Sequence, residues 1–208
     1  MLDWVIRAGQ RSASYINKGD RYLNVSVALL VPEGDKLIEK YQRRRDLDLI
    51  IGSEDDVLER YQKACKELDA DYMTRITSDC PLIPPFIISK HIIIANKYKY
   101  DYISNVHPEV RMSPDGWDCE VMSKDILDWT FKEAKEKTDR EHVTTYIRSD
   151  PPKWAKIANV LGHAEFSHLK LSVDTQEDLD FVRTYQQICS KKIEIAKSRE
   201  FADGYYII

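Results

Sequence analysis

Two aspartates stand directly after predicted β-strands, at positions from which an acid can reach a ligand. Asp79 follows the β-rich run 72–77, and Asp174 follows the run 168–173. Ligands of open parallel sheets gather beyond the carboxyl ends of the strands, so we expect both carboxylates at one edge of a sheet. Such a pair suits Mg²⁺, a hard cation that takes few protein oxygens and completes its shell with water and phosphate oxygens. The alternative is that each acid only caps the helix that follows it, and for Asp174 the position alone leaves both interpretations open.

Two further segments carry groups that could bind a polar ligand. The loop 115–120 offers carboxylates and the ring of Trp117, a combination that can contact a sugar, although a glycine turn leading into a strand explains the same residues. Arg140, Glu141 and His142 stand at a predicted helix start and could present a cation, an acid and an imidazole. Glu141 could equally serve as part of a helix cap. The residue pattern leaves these alternatives open.

Several common catalytic sites are excluded because their motifs are absent. The sequence contains only seven glycines, and none of them forms the dinucleotide-binding G-x-G-x-x-G or the phosphate-binding P-loop. The metalloprotease H-E-x-x-H and the hydrolase G-x-S-x-G are also missing. The four cysteines are scattered without a C-x-x-C pair, which argues against a zinc cluster or a disulfide scaffold and favours reduced thiols.

The order of the predicted elements indicates an α/β fold. Three strands, at 25–31, 47–51 and 72–77, are each followed by a predicted helix. Right-handed crossovers between parallel strands bury the apolar side of each element, so this alternation predicts a three-layer αβα sandwich with a mostly parallel sheet. Four more strands are expected at 102–105, 118–122, 156–160 and 168–173, and three more helices after Ser123, after a capping box at Thr138 and after Thr175.

The composition is that of a soluble globular domain. The 208 residues are 43% hydrophobic and 32% charged, and no apolar run approaches the length of a membrane span. The first residues lack the basic and apolar regions of a signal peptide, so we expect a cytoplasmic protein. The net charge of −4 gives no general attraction to nucleic acid or to an anionic membrane. We expect one domain over 1–190 and a tail over 191–208, whose apolar end, Tyr205 to Ile208, docks on the domain or forms a homodimer.

Five sequence blocks carry a resemblance to a known family. They are G-S-E-D-D-V-L-E-R-Y at 52–61, R-I-T-S-D-C-P-L-I at 75–83, P-D-G-W-D-C-E-V at 114–121, R-E-H-V-T at 140–144 and S-H-L-K-L-S-V-D-T at 167–175. Together they resemble the nucleotidyltransferases of the spore-coat polysaccharide type, within the acylneuraminate cytidylyltransferase group. The blocks occur in the family's order and extend over nearly the whole chain.

The resemblance implies a fold and an activity. The fold is the Rossmann-like one of nucleotide-diphospho-sugar transferases, and the activity joins CMP from CTP to an acidic or modified sugar, with release of pyrophosphate and a need for Mg²⁺. By this match Asp79 and Asp174 correspond to the metal-binding acids, and Arg75 is expected to contact nucleotide or phosphate. The residues expected on the substrate side are Asp115, Gly116, Asp118, Glu120, Arg140, Glu141 and His142. The implied partners are CTP and a sugar, with no nucleic acid and no membrane.

The sequence also departs from the family pattern. Members ordinarily begin with a strand and a nucleotide-binding loop resembling A-R-x-x-S-x-R-L-P-x-K, whereas this sequence starts at the methionine and leucine that follow that segment. Ser78 stands where a glycine is usual beside Asp79. We therefore expect an empty central strand position in this chain. Three alternatives stay open: a start at an internal methionine, completion by a partner, or a degenerate homologue that binds a nucleotide sugar or acts as a scaffold without catalysis.

A glycosyltransferase of related fold is disfavoured. Such enzymes need a D-x-D metal motif in a loop at a strand end. The letters occur here at 46–48, but the segment opens a predicted strand.

Overall fold

Helices and strands alternate along the chain in the computed structural model, which describes residues 1–20, 22–107, 109–162 and 165–198, with side chains as far as Cys189. The helices are α1 (Leu2–Gly19), α2 (Leu37–Tyr41), α3 (Val57–Glu67), α4 (Pro85–Tyr98), α5 (Lys124–Glu133), α6 (Lys137–His142), α7 (Thr145–Ser149) and α8 (Gln176–Ser198). The strands are β1 (Ala28–Pro32), β2 (Asp48–Gly52), β3 (Tyr72–Arg75), β4 (Tyr102–Ser104), β5 (Glu120–Ser123) and β6 (Ile157–Asn159). The α/β fold class is confirmed, and six of the predicted strands are found within a few residues of their expected places.

The strands form two ladders. β1 and β2 pair in parallel, and the other four strands have the order β3-β5-β4-β6. β6 is parallel to β4, whereas β5 is antiparallel to both of its neighbours. The sheet is therefore more mixed than the mostly parallel one predicted, because β5 returns through the loop 105–119 without a helical crossover. No backbone pairing joins the two ladders within the described ranges.

Helices cover both faces of the four-stranded sheet. Tyr102 and Met122, on neighbouring strands, face a core that also contains residues of α3, α5 and α7. Their chain neighbours Ile103 and Val121 face the other side and pack with Ala95 of α4. Helix α1, which was not among the predicted elements, packs on α4. These contacts produce the three layers of an αβα sandwich.

Two predicted local elements are wrong. The run 168–173 is not a strand, because its only ladder contact is one parallel bridge between Lys170 and Asp115, and the residues at 168–170 are exposed. Thr138 is not a helix cap, because α6 begins before it at Lys137. Helix α6 ends at His142, because the next residue, Val143, has a φ of 67°, and α7 begins at Thr145.

The predicted boundary between domain and tail at residue 190 falls inside α8, which runs unbroken to Ser198. The apolar end Tyr205 to Ile208 lies outside the described residues. Within the part of the chain that the structure describes, no helix has both the length and the apolar character needed to cross a membrane.

Candidate functional site

One edge of the four-stranded sheet brings several of the predicted site residues together. Arg75 ends β3, Ser104 ends β4, and both stand opposite Glu120 at the start of β5. The segments that leave these positions are 76–84, 105–119 and, after β6, 160–175. We call the edge marked by Arg75, Ser104 and Glu120 the site edge.

Asp79 and Asp174 lie next to each other beyond the site edge. The backbone N–H of Val173 donates to the backbone oxygen of Asp79 at 2.9 Å, which joins the two segments. The Asp174 carboxylate is 58% exposed and pairs with Lys170 at 2.8 Å. The Asp79 carboxylate receives only a long contact of 3.7 Å from the Cys80 thiol. The site edge therefore carries two carboxylates, one of which has no cationic partner among the described residues.

The cap of α8 is made without the Asp174 carboxylate. The Thr175 hydroxyl accepts from the backbone N–H of Asp178 at 3.2 Å. The Asp178 carboxylate in turn accepts from the backbone N–H groups of Asp174 and Thr175. These bonds, together with that from Lys170, lower the pKa of Asp178. The capping alternative for Asp174 therefore explains its backbone position but not its carboxylate, which pairs with Lys170 and is 58% exposed.

The glycine turn at Gly116 packs directly on the segment that leads to Asp174. Gly116 has a φ of +95°, and a Cβ on it would lie 2.5 Å from the carbonyl carbon of Leu171 and would overlap the backbone nitrogen of Ser172. The Asp115 carboxylate accepts from the Ser172 hydroxyl at 2.6 Å. Backbone bonds of Asp115 with Leu169 and Leu171, at 2.9 and 2.7 Å, complete the contact. The turn at Gly116 and the segment that leads to Asp174 are therefore packed together as one unit.

Arg111 holds this loop from within. Its guanidinium group bonds the Asp118 carboxylate and the backbone oxygens of Ser113 and Pro114, the latter two at 3.1 and 2.9 Å. Burial raises the pKa of Asp118, and Arg111 acts in the opposite direction. A carboxylate with a raised pKa near a ligand edge is a candidate for accepting a proton. Sequence reasoning missed Arg111, because no motif marks it.

Asn105 fixes the far end of the same loop. Its side-chain amide donates to the backbone oxygen of Trp117 at 2.8 Å and accepts from the backbone N–H of Cys119 at 2.9 Å. The Trp117 ring stands edge-on to Phe86, with ring centroids 6.5 Å apart. The aromatic surface expected from the sequence therefore rests on the first turn of α4.

Glu120 is placed differently from the expectation of a sugar-binding side chain. Its side chain is only 2% exposed and accepts from Arg75 at 2.9 Å and from Arg148 at 2.7 Å. The Tyr102 hydroxyl donates a third bond at 2.5 Å. Burial raises the pKa of Tyr102, and the Glu120 charge adds to this effect. Glu120 thus has no surface to offer a sugar and instead holds two arginines at the site edge.

Arg140, Glu141 and His142 form a separate group at the end of α6. The Arg140 guanidinium bonds the Asp56 carboxylate, which caps α3, and the backbone oxygen of Phe131 at 2.9 Å. It also lies 4.4 Å from the centroid of the Phe131 ring. Arg140 therefore ties α6 to α3 and α5, whereas Glu141 and His142 are exposed.

Away from the site edge, a cleft of about 740 Å³ opens at the carboxyl ends of β1 and β2. It is lined by Glu33, Ile51, Gly52, Ser53, Glu54, Glu59 and Lys63. The backbone N–H of Ser53 donates to the Glu59 carboxylate at 3.1 Å. A Cβ on Gly52 would lie 2.8 Å from the same carboxylate, so the glycine lets the strand end approach α3.

The residues at the site edge fit a metal ion that keeps most of its shell outside the protein. No group of three or more histidine, cysteine, aspartate or glutamate side chains that could hold a metal occurs among the residues described. Mg²⁺ is commonly held by one or two carboxylates together with water and phosphate oxygens. Asp79 and Asp174 can supply such a pair.

Comparisons with known proteins identify the family. The family model described as cytidylyltransferase matches residues 1–205. The uncharacterized protein MJ1063 of Methanocaldococcus jannaschii is 33% identical over 136 residues, which are 65% of this chain and 54% of that protein, so the chain spans about half the length of this relative. The spore coat polysaccharide biosynthesis protein SpsF of Bacillus subtilis is 25% identical over 204 residues, which are 95% of this chain and 80% of that protein.

Solved structures show the same fold. A cytidylyltransferase from Leptospira borgpetersenii superposes with a TM-score of 0.72 at 18% identity, over 97% of this chain and 88% of that one. A CMP:2-keto-3-deoxy-manno-octonic acid synthetase complexed with CTP gives 0.60 at 12% identity, over 88% and 87%. Rv0371c of Mycobacterium tuberculosis, in complex with manganese, gives 0.50 at 12% identity, over 82% and 83%. Because the family model spans nearly the whole sequence, the chain belongs to the cytidylyltransferase family.

Proposed function

We propose that this chain serves the transfer of CMP from CTP to an acidic or modified sugar, with release of pyrophosphate, in the synthesis of a surface polysaccharide. The observation that supports the proposal is the backbone bond between Val173 and Asp79, which joins the segments that carry Asp79 and Asp174. Two relatives support the choice of substrates. One is named for spore coat polysaccharide biosynthesis, and the other is a CMP-sugar synthetase complexed with CTP.

The proposed cofactor is Mg²⁺, held by Asp79 and Asp174. The manganese complex of Rv0371c supports a divalent ion in a protein of this fold. When bound, such an ion would neutralise charge that develops on the phosphates as pyrophosphate leaves. Lys170, which pairs with Asp174 in the structure, would then share that carboxylate with the ion.

The other site residues receive roles from their surroundings. Asp118 is proposed to accept the proton of the attacking sugar hydroxyl, because burial raises its pKa. Asp115 and Gly116 are proposed to form the wall beside the metal, since both contact Ser172. The exposed Glu141 and His142 are proposed to contact the sugar. The homodimer remains a prediction, because the apolar chain end lies outside the described residues.

Calorimetric titration with CTP, with and without Mg²⁺, tests the proposal. We expect metal-dependent binding, and we expect Asp79→Asn to weaken it on the order of tenfold or more while the unfolding midpoint stays nearly unchanged. The matched control is Asp69→Asn, because Asp69 is 96% exposed and has a φ of 45°, which asparagine tolerates. Positive titrations would be followed by a screen of sugars for pyrophosphate release.

Two results would contradict the proposal. If Asp79→Asn fails to fold, Asp79 is structural. If the folded wild-type chain binds no CTP at any Mg²⁺ concentration, the proposed function of this chain fails.

A further inference from the structure

A single buried carboxylate holds two arginines at the site edge. Glu120 binds Arg75, the last residue of β3, through one oxygen, and Arg148 of α7 through the other. The Glu120 side chain is 2% exposed, whereas those of Arg75 and Arg148 keep 19% and 26% of their surface in contact with solvent. The carboxylate is therefore internal, and each arginine extends from it towards the surface.

The charges of this group do not cancel. Two guanidinium groups face one carboxylate, and the third partner of Glu120 is the neutral hydroxyl of Tyr102. Arg111 lies nearby and pairs with two carboxylates, those of Asp118 and Asp115, so the wider cluster holds three arginines and three acids. The excess positive charge is confined to the two arginines around Glu120, and the case for an anion there rests on their free donors.

Most of the hydrogen-bond donors of the two arginines are unused. Arg75 commits one of its five N–H groups, to Glu120. Arg148 commits two, one to Glu120 and one to the Thr144 hydroxyl. In the described part of the chain, the buried side-chain polar atoms without a partner belong only to Arg60, His91 and Trp117. The free N–H groups of Arg75 and Arg148 are therefore open to solvent.

We propose that Arg75 and Arg148, positioned by Glu120, form a binding site for an anionic group of the substrate, a phosphate or a carboxylate. A guanidinium group can give two parallel N–H bonds to two oxygens of either a carboxylate or a phosphate, and these bonds are charge-assisted. The resemblance assigns no role to Arg148, and the site gives Glu120 a positioning role in place of contact with a sugar. The identity of the anion rests on the proposed function, but the existence of the site does not.

The shift of the unfolding midpoint on adding an anion tests the site. Inorganic phosphate and pyrophosphate are the probes, each compared with chloride at equal ionic strength. A ligand that binds only the folded state raises the midpoint in proportion to its occupancy. We expect phosphate to stabilise the wild-type chain and Arg148→Met to lose this effect, with a loss of affinity on the order of tenfold. Each variant is compared with its own midpoint without phosphate, so a general loss of stability does not imitate the result.

Two further variants make the test specific. Arg183→Met is the matched control, because Arg183 is 57% exposed on α8 and its one ion pair among the described residues is with the nearby Asp180. It should keep the full response to phosphate. Arg148→Lys keeps the charge but not the planar donors, so it should retain part of the response, and it decides the matter if Arg148→Met does not fold. The proposal is overturned if phosphate stabilises Arg148→Met as much as it stabilises Arg183→Met. If Arg148→Met does not fold, the same comparison is made between Arg148→Lys and Arg183→Met.

A second arm separates this site from the proposed function and identifies the source of the anion. If phosphate binding depends on Arg148 but CTP does not bind with Mg²⁺, the anion site stands and the proposed function fails. If CTP binds equally well to the wild type and to Arg148→Met, and phosphate does too, the function stands and the site fails. Loss of CTP binding in the variant assigns the site to a nucleotide phosphate, whereas loss of binding of N-acetylneuraminate alone assigns it to a sugar carboxylate.

Discussion

Replacing Gly116 by alanine should separate the loop 113–118 from the segment that carries Asp174. Gly116 has a φ of +95°, and an added Cβ would lie 2.5 Å from the carbonyl carbon and 2.8 Å from the oxygen of Leu171. All of these neighbours are backbone atoms, which cannot move aside as a flexible side chain can. The bond between Asp115 and Ser172, 2.6 Å long in the structure, should therefore lengthen or break.

The size of the effect follows from two contributions. A left-handed backbone costs a residue with a Cβ roughly 1–2 kcal/mol. Overlap in a packed site adds about 1–3 kcal/mol. Gly116→Ala should thus lower the free energy of unfolding by about 2–5 kcal/mol, the sum of the two ranges. A small domain is typically stable by about 5–15 kcal/mol, so we expect the variant to fold with a lower midpoint.

Gly34→Ala is the matched control, because it isolates the first contribution. Gly34 has a φ of +82° but nothing within 4 Å of an added Cβ. Urea unfolding of both variants gives the two free energies, and calorimetry with CTP and Mg²⁺ gives the effect on the site. We expect Gly116→Ala to lose more stability than Gly34→Ala and also to bind CTP more weakly. Equal losses, with CTP binding intact in both, would refute the view that this close approach positions Asp174.

Two further predictions concern buried groups outside the site. Burial lowers the pKa of His91 to about 4. Below a pH of about 6.5 the unfolded chain therefore binds a proton at this histidine that the folded chain does not bind. The free energy of unfolding should fall by about 3 kcal/mol as the pH drops from 6.5 to 4. Urea unfolding across this range should show a smaller fall for His91→Leu, and an unchanged fall would contradict the assignment. Burial also raises the pKa of the Cys65, Cys80 and Cys119 thiols, that of Cys80 to about 12, whereas Cys189 is partly exposed. Of the four cysteines, Cys189 alone should react rapidly with a thiol reagent in the native chain, and Cys189→Ser should remove that reaction. A fast reaction that remains in Cys189→Ser would contradict the burial of the other three thiols.

Local signals in the sequence were sufficient for most of the fold. The apolar spacing of α3 and its cap at Asp56, or the prolines that open α4, depend on near neighbours and are visible in one dimension. Helix α1 was missed because several of its buried positions are small residues such as Ala8 and Ser12, which do not stand out as apolar. Ser12 is buried only because its hydroxyl meets that of Ser89 on α4, at 3.0 Å. Such a contact exists only after the helices have packed.

In the site too, some side chains could be placed from local sequence signals, and others depend on contacts between distant residues. Asp79 could be placed at this edge from the rule that strand ends collect ligands. The strand expected before Asp174 is absent, and its segment reaches the same edge through the bond from Val173 to Asp79. Arg140 and Glu120 could not be interpreted in this way, because their partners Asp56 and Arg75 are 84 and 45 residues distant in sequence. A charged residue in a sequence block is compatible with binding a substrate and with holding another side chain. Only the register of β3 against β5, which sets Arg75 opposite Glu120, shows that this carboxylate is buried against an arginine of the neighbouring strand.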